Sequence, residues 1–286
     1  QISGYCLTND VSYQKAFIFL GHHGGNGKGI FTKMLSKLVG RQNTSNLNLT
    51  TLTRQFGLAG LINKRLNVID EISGNYFESD IIKRLISGQP IAAEIKYRPE
   101  PIEFLPFCKH IFTINELPKI NDTSQALYRR FTIIPFLRTF QANPDTNLEE
   151  KLTRELSGIL NWAIEGLKLL REMKKFNETV KNYEALQNFK AENSPVVEFL
   201  TEFFDSPPKD DRSKYITRHK VIYEKYREYC QNSGYRAKAV SNFNRELENL
   251  SYEGWKVEKK RDRDGLFYLG LRPLKNFTGE QIRYDD

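Results

Sequence analysis

Between the apolar run FIFL and the start of a helical pattern, residues 21–29 read GHHGGNGKG. A strand, a glycine-rich loop and a helix start, in that order, make an anion site, because backbone N–H groups and the helix dipole face the same point. Gly24, Gly25, Asn26, Gly27, Lys28 and Gly29 are the candidate phosphate-binding residues. The glycines let the backbone curl around phosphate oxygens, and Lys28 brings positive charge to the β and γ phosphates. Two departures from the usual pattern stand out. Five residues rather than four separate Gly21 from Gly27, so His22 holds the place of the first glycine, and Gly29 replaces the Ser or Thr that ligates Mg²⁺. The first reads as a lengthening of the loop's start. The second leaves phosphate binding intact but requires water or another residue at the metal.

About 40 residues beyond Lys28, the stretch RLNVIDEIS ends an apolar run on Asp70 and Glu71. Beside a phosphate loop such a pair divides its labour: Asp70 holds Mg²⁺ through its water shell and Glu71 accepts a proton from the attacking water. A third apolar run, KHIFTIN, ends in Asn115, whose amide at a strand tip can orient that water and sense the γ-phosphate. In ALYRRFTIIPF, Arg129 and Arg130 precede a further strand. Either guanidinium suits the γ-phosphate of a neighbouring subunit.

Elements must bring these residues together. KAFIFLG, RLNVIDE and CKHIFTIN read as strands, while Lys28 to Leu38 and Ser79 to Ile86 read as helices. Continuous apolar strands alternating with helices predict an α/β domain with a parallel sheet buried on both faces. From Leu148 to Met173, Leu152, Leu156, Ile159, Leu160, Ala163, Ile164 and Leu167 recur at helical spacing, predicting a helical pair or one long helix against the sheet. The prolines and charges of SPPKDD read as a linker and set a domain boundary at about residue 206, giving domains 1–206 and 207–286.

The tail predicts a helix over 217–231 with Ile222, Tyr226 and Tyr229 on one face. A second helix is lined by Val240, Phe243, Leu247 and Leu250, and a hairpin turns at RDRDG. The second helix offers Lys238, Asn242 and Arg245 on its other side, and the hairpin offers Lys259, Lys260 and Arg261. This order suggests a winged helix-turn-helix.

Composition narrows the classes. The 286 residues carry 43 Lys+Arg against 35 Asp+Glu, a net charge of +8, which favours a polyanionic partner. Residues 209–275 hold 17 Lys+Arg against 10 Asp+Glu, so nucleic acid is expected there. No apolar run approaches the roughly 18 residues of a membrane span. Cys6, Cys108 and Cys230 are too scattered for a disulfide framework or a metal cluster, which points to a reducing, cytoplasmic setting without structural metal. Because the first residue is Gln and no leader precedes the first motif, the chain reads as a piece of something longer.

The ordered set GGNGKG, NVIDE, SGQPIAAEIKYRPEPIEFLP, FTINELP and RRFTIIPF resembles the superfamily 3 helicases, specifically the helicase part of phage, plasmid and poxvirus primase-helicases. The likeness covers roughly residues 1–206, and the tail resembles the winged helix that follows that core in phage members. It implies an AAA+-like P-loop NTPase core, ATP and Mg²⁺ as cofactors, and hydrolysis at subunit interfaces of a homo-oligomeric ring, usually hexameric. It also implies movement on single-stranded DNA at forks in the host cytoplasm. By matching motif, Lys28 is the phosphate-loop lysine, Asp70 and Glu71 the metal and water pair, Asn115 the first sensor, and Arg129 or Arg130 the arginine finger. Lys96 matches the pore-loop lysine that grips DNA, and with Tyr97 and Arg98 it forms a cation-and-aromatic cluster suited to phosphate contact and base stacking. Two other expectations stay open on the same residues. One is an origin-binding initiator that uses ATP as an assembly switch; the other is a DNA-binding module with a degenerate nucleotide site.

Overall fold

The apolar runs become the middle of a parallel sheet. In chain order the first unit contains α1 (Ile2–Cys6), β1 (Ala16–Leu20), α2 (Lys28–Val39), β2 (Thr44–Ser45), α3 (Leu49–Leu52), β3 (Leu66–Asp70), α4 (Ser79–Ser87), β4 (Ile91–Ala93) and β5 (Ile102–Phe104). It continues through β6 (Lys109–Ile114), α5 (Gln125–Tyr128), β7 (Phe131–Pro135), α6 (Leu148–Arg154) and α7 (Leu156–Met173). This computed structural model describes residues 1–70, 79–120, 122–248, 250, 255–275 and 277. The chain divides into two compact units, Gln1–Leu186 and Gln187–Asp286, with α8 (Val180–Glu192) running from one into the other.

The main sheet has the order β2-β3-β6-β1-β7, and every pairing in it is parallel. All residues of β1 and β6 are buried, the polar Lys109, His110 and Thr113 of β6 included, as in strands covered on both faces. One face packs Phe17, Phe19, Val68 and Ile111 against Leu35 and Val39 of α2 and Leu170 of α7. Phe176 meets Tyr5 and Phe17 edge-on at 5.4 and 5.1 Å between ring centroids. Polar residues inside the sheet have work to do: Asn67 accepts from Leu47 N–H (2.9 Å) and donates to Leu47 C=O (3.0 Å), fixing the chain beyond β2.

The expected helical segment 148–173 is a pair, α6 and α7, interrupted at Glu155. Only Ala163 and Leu170 of α7 are buried, whereas Leu160, Trp162, Ile164 and Leu169 stay exposed.

The second unit contains α9 (Pro195–Phe203), β8 (Phe204–Asp205), β9 (Ile216–Arg218), α10 (His219–Asn232), α11 (Val240–Glu248), β10 (Glu258–Asp262), β11 (Gly265–Leu269) and β12 (Arg272–Pro273). Its antiparallel sheet has the order β10-β11-β9, and β12 pairs with β8. The division falls some 20 residues before the expected boundary at 206. Val196, Phe199 and Leu200 of α9 are fully buried with Ile222, Tyr226, Phe243 and Leu247, so α9 belongs to this core. The SPPKDD stretch is no linker; it leads into a short 3-10 turn, Lys209–Lys214, inside the unit. On α10 the buried face is Ile222, Tyr226 and Cys230, with Tyr229 packed at its rim, and Leu250 lies just beyond α11. Strand β9 has no counterpart in the sequence reading, because three residues are too few to show a period.

Candidate functional site

The loop after β1 leads straight into α2. Gly25 and Gly27 adopt left-handed backbone (φ 68° and 91°), and Gly27 is the N-cap of α2 with no side-chain cap. The helix's first intrahelical bond runs from Phe31 N–H to Gly27 C=O; Lys28 N–H donates weakly to Asn26 Oδ1 (3.4 Å), and the N–H groups of Gly29 and Ile30 are left for a ligand or water. Asn26 shapes the turn: its amide donates to His23 C=O (2.6 Å), and its side-chain oxygen lies 3.4 Å from Lys28 N. A Cβ at Gly21 would stand 2.0 Å from Asn26 Nδ2 and 2.9 Å from Lys28 Nζ, so a side chain there would push both groups out of this arrangement. His22 and His23 are exposed and leave the loop open.

Lys28 is only 8% exposed. Its ammonium donates to Gly21 C=O (2.8 Å) and to Asn115 Oδ1 (3.0 Å), both neutral oxygens. Burial holds this ammonium below its ordinary pKa. A buried cation bonded to neutral oxygens at an uncapped helix start is a place where an anion is strongly favoured.

Sheet order explains why Lys28 meets Asn115 across 87 positions of sequence. Strand β6 lies between β3 and β1, with Ile114 opposite Leu20 and Thr113 opposite Asp70. The loop, Asn115 and Asp70 therefore share the carboxyl edge of three adjacent strands, where open α/β sheets bind ligands. Asp70 stands two strand spacings, roughly 10 Å, from the end of β1. It is exposed, and Oδ1 accepts a hydrogen bond from Thr113 Oγ1. Among the described residues its second oxygen has no hydrogen-bond partner. Glu71 lies outside the described residues.

Gly29 has nothing within 4 Å of where a Cβ would sit, so the missing hydroxyl of this helix turn is a choice of residue rather than a steric need. Among the described residues no cluster of three or more potential metal ligands occurs, and all three cysteines are buried and free.

Arg129 and Arg130 precede β7 and so lie at the opposite, amino edge of the sheet. They differ from each other. Arg130 is 8% exposed and held by Ser87 Oγ (Nε 3.2 Å, Nη2 2.8 Å) and by Ala126 C=O, whereas Arg129 is exposed, with a 3.4 Å contact to Gln14 Oε1.

Lys96, Tyr97 and Arg98 form the turn between antiparallel β4 and β5. Tyr97 is 93% exposed with a positive φ (66°), and Lys96 Nζ lies 4.9 Å from its ring centroid. The tail cations fall into two sets. Lys238 is bound to Glu246 (2.5 Å), Lys259 to Glu248 (2.7 Å), and Arg245 donates to Asn242 Oδ1 (2.9 Å). Lys260 and Arg261 stand exposed on the edge strand β10, Lys260 only 3.9 Å from Glu258. Beneath the hairpin turn, Arg218 binds Asp262 (2.7 Å) and Asp264 (3.4 Å), drawing both acidic groups away from those cations.

Sequence reasoning missed the segment after β7. Phe140 N–H donates to Gly25 C=O (2.8 Å) and Gln141 Nε2 to Gly24 C=O (2.9 Å), strapping the loop's outer turn. Nothing in RTFQ signals a partner more than 110 positions away. Thr113 was findable, since a polar residue at the end of an otherwise apolar strand needs a partner.

Residues 19–130 match a family of unknown function, DUF5906, and residues 191–281 match the poxvirus D5 protein-like family. A helicase-named protein of Acanthamoeba polyphaga mimivirus is 26% identical over 148 residues, 47% of this chain and 15% of that protein. Two apo structures of the NrS-1 C-terminal region share the fold at 15% identity. Their TM-scores are 0.54 and 0.55, covering 96% and 94% of this chain and 70% of each of those. The chain thus resembles the superfamily 3 helicase domain of phage- and poxvirus-type primase-helicases, a likeness the motifs had suggested. Among the described residues no helix is long and apolar enough to cross a membrane.

Proposed function

We propose that the chain is the motor part of an ATP-dependent replicative DNA helicase: a P-loop ATPase of AAA+-like build that moves on single-stranded DNA, followed by a winged helix that grips duplex. The observation that carries this reading is Lys28, a buried ammonium with neutral partners at the uncapped start of α2, beside Asn115 and on the same sheet edge as Asp70. ATP seated there has its β and γ phosphates against the loop amides and Lys28. Asp70 would hold Mg²⁺ through its free oxygen and intervening water, with no help from Gly29. The metal supplies charge neutralisation on the phosphates.

In this scheme Glu71 takes the proton of the attacking water and Asn115 orients that water while reporting the γ-phosphate to Lys28. The finger is Arg129: it is exposed and lightly held, whereas Arg130 is engaged with Ser87 and Ala126. Since both lie on the edge opposite the loop, a finger acts on the next subunit, which fits a ring, hexameric in the intact protein. The β4–β5 turn, with Lys96, Tyr97 and Arg98, serves as the loop that follows single-stranded DNA. In the tail, Lys260 and Arg261 contact phosphates and Lys238 does not.

The test is ATP hydrolysis with and without single-stranded DNA. Stimulation by DNA that Lys28→Ala abolishes is expected; a Lys28→Ala protein that hydrolyses normally removes the loop from the mechanism.

A further inference from the structure

Two elements of the second unit could meet nucleic acid, the helix α11 and the β10–β11 hairpin, and they offer it different surfaces. On α11 the exposed side chains among the described residues are Val240, Ser241, Asn242, Arg245 and Glu248, so one cation is matched by one carboxylate. Asn242 and Arg245, the residue types that read adenine and guanine edges, are bonded to each other (2.9 Å). Glu246 and Glu248 of the same helix each hold a lysine, Lys238 and Lys259, that would otherwise be offered to phosphate. Such a face gives a phosphate backbone little net attraction.

In the hairpin, register puts Lys260 opposite Phe267 and Arg261 opposite Leu266, and successive residues of a strand point to opposite faces. Lys260 therefore projects from one face of the ribbon and Arg261 from the other, with Arg263 exposed in the turn. Strand β9 pairs with β11 only as far as Arg218 opposite Phe267, so the pairs Arg261–Leu266 and Asp262–Gly265 stand beyond it as a two-stranded ribbon. One side chain occupies both acids at the turn: Arg218, 15% exposed and 5.6 Å from the Phe267 ring centroid, binds Asp262 (2.7 Å) and Asp264 (3.4 Å). Cations on both faces of a thin ribbon match phosphates on two sides at once. A single strand brings one row of phosphates, whereas the major groove of B-form DNA, about 12 Å wide, is walled by two and admits a two-stranded ribbon. Arg236 before α11 and Lys256 before β10 are exposed as well, and can add phosphate contacts without selecting a sequence.

Resting on the reading of this unit as a winged helix that grips duplex, we propose that the hairpin makes the grip, seated in the major groove against phosphates on both walls, and that α11 reads no bases. The unit is then a clamp indifferent to sequence, since phosphate contacts carry no sequence information. Arg218 is a positioning residue in this arrangement. It touches no DNA and acts by holding Asp262 and Asp264 away from the phosphates that Lys260, Arg261 and Arg263 contact.

Fluorescence anisotropy of the whole chain, with DNA duplexes of several sequences, single-stranded DNA and duplex RNA of matched length as probes, tests this. Dissociation constants for the DNA duplexes should agree within about tenfold, where a base-reading protein spans about 10³-fold or more. Duplex RNA, whose major groove is deep and narrow, should bind at least about tenfold more weakly. Arg263→Ala, at an exposed position, should weaken duplex DNA several-fold, lower its salt slope by about one and leave single-stranded DNA unchanged. Asn242→Ala with Arg245→Ala should leave duplex affinity as it is. Arg218→Gln should weaken duplex binding by about tenfold by freeing two carboxylates beside the phosphates, and adding Asp262→Asn and Asp264→Asn should restore it. Restoration separates positioning from a scaffold role or a direct contact, neither of which the added asparagines would repair. A wider sequence preference that Asn242→Ala with Arg245→Ala abolishes, duplex RNA bound as well as DNA, Arg263→Ala without effect, or a triple variant as weak as Arg218→Gln overturns the proposal while the duplex-gripping reading stands. If no duplex binds at all, that reading falls and takes this one with it.

Discussion

Among the described residues, the two units differ in how deeply they bury positive charge. In the first, Lys28, Lys109 and Arg130 are buried and bond only to neutral oxygens where contacts are defined: Gly21 C=O and Asn115; Thr8 C=O and Phe107 C=O; Ser87 and Ala126 C=O. Burial lowers the pKa of all three, Lys109 to about 8. In the second, partly buried Arg218 pairs with Asp262, Lys238 with Glu246 and Lys259 with Glu248, as partly buried Lys15 and Lys83 of the first pair with Glu178 and Asp122. A count of charges picks out the second unit; a look at partners picks out the first. Lowered pKa alone does not finish the choice, because Lys109 and Arg130 lie at the amino edge of the sheet and only Lys28 lies at the carboxyl edge beside an uncapped helix.

The strongest way to break this contrast is Lys28→Ala. Removing a charge that acts on the transferring phosphoryl group is expected to lower DNA-stimulated ATP hydrolysis by about 10²–10³-fold or more, with the circular dichroism spectrum unchanged. Lys238→Ala should leave hydrolysis alone and cost about 1 kcal/mol in denaturant unfolding, the worth of one partly exposed pair.

Acid sharpens the same contrast inside the first unit. His110 is fully buried on β6, neither ring nitrogen has a hydrogen-bond partner among the described residues, and burial holds its pKa at about 4. Above the ordinary value of 6.5 neither folded nor unfolded chain carries the proton. Between 6.5 and 4 the unfolded chain takes it and the folded chain refuses it, so stability falls as pH drops through that window. The loss is on the order of 3 kcal/mol. Unfolding midpoints at pH 7 and pH 4.5 should therefore differ more for the native sequence than for His110→Leu; equal slopes would show that His110 does not titrate as a buried group.

On the second unit, Lys260→Ala with Arg261→Ala should weaken duplex DNA binding by about tenfold. It should also lower the salt slope by about one for each phosphate no longer neutralised, uniformly across sequences. An equal loss from Lys238→Ala would mean that a cation held at 2.5 Å by Glu246 contributes as much as Lys260, 3.9 Å from Glu258, and Arg261. The smallest effect is expected at Gly29→Ser, where the space is open: hydrolysis retained, with half-saturation by Mg²⁺ lowered several-fold as a hydroxyl joins the metal's ligands.

Much of the first unit's fold was legible because its strands are mostly apolar runs, and the candidate site residues were read from where those runs end. Lys28, Asp70 and Asn115 could each be read from a strand terminus, and parallel pairing then puts them on one edge. The boundary at 206 was misread because prolines and charges look like a linker, whereas the aromatic and aliphatic residues of α9 that decide the matter find partners only through non-local packing. The strap over Gly24 and Gly25 was illegible for the same reason, being held by bonds from a segment with no periodicity of its own. Between Arg129 and Arg130 the sequence offers no distinction; burial against Ser87 does.

Placing the loop and Arg129 on opposite edges of one sheet has a geometric corollary. A protein whose acceptor and donor lie on different surfaces cannot satisfy both through a two-fold contact, in which each patch meets its own copy. Only head-to-tail stacking joins one copy's guanidinium to the next copy's phosphate, and such stacking either closes into a circle or runs on as a filament. On the proposed reading, every interior junction of such an assembly would have a direction, and a lone molecule would hold half of two different catalytic centres.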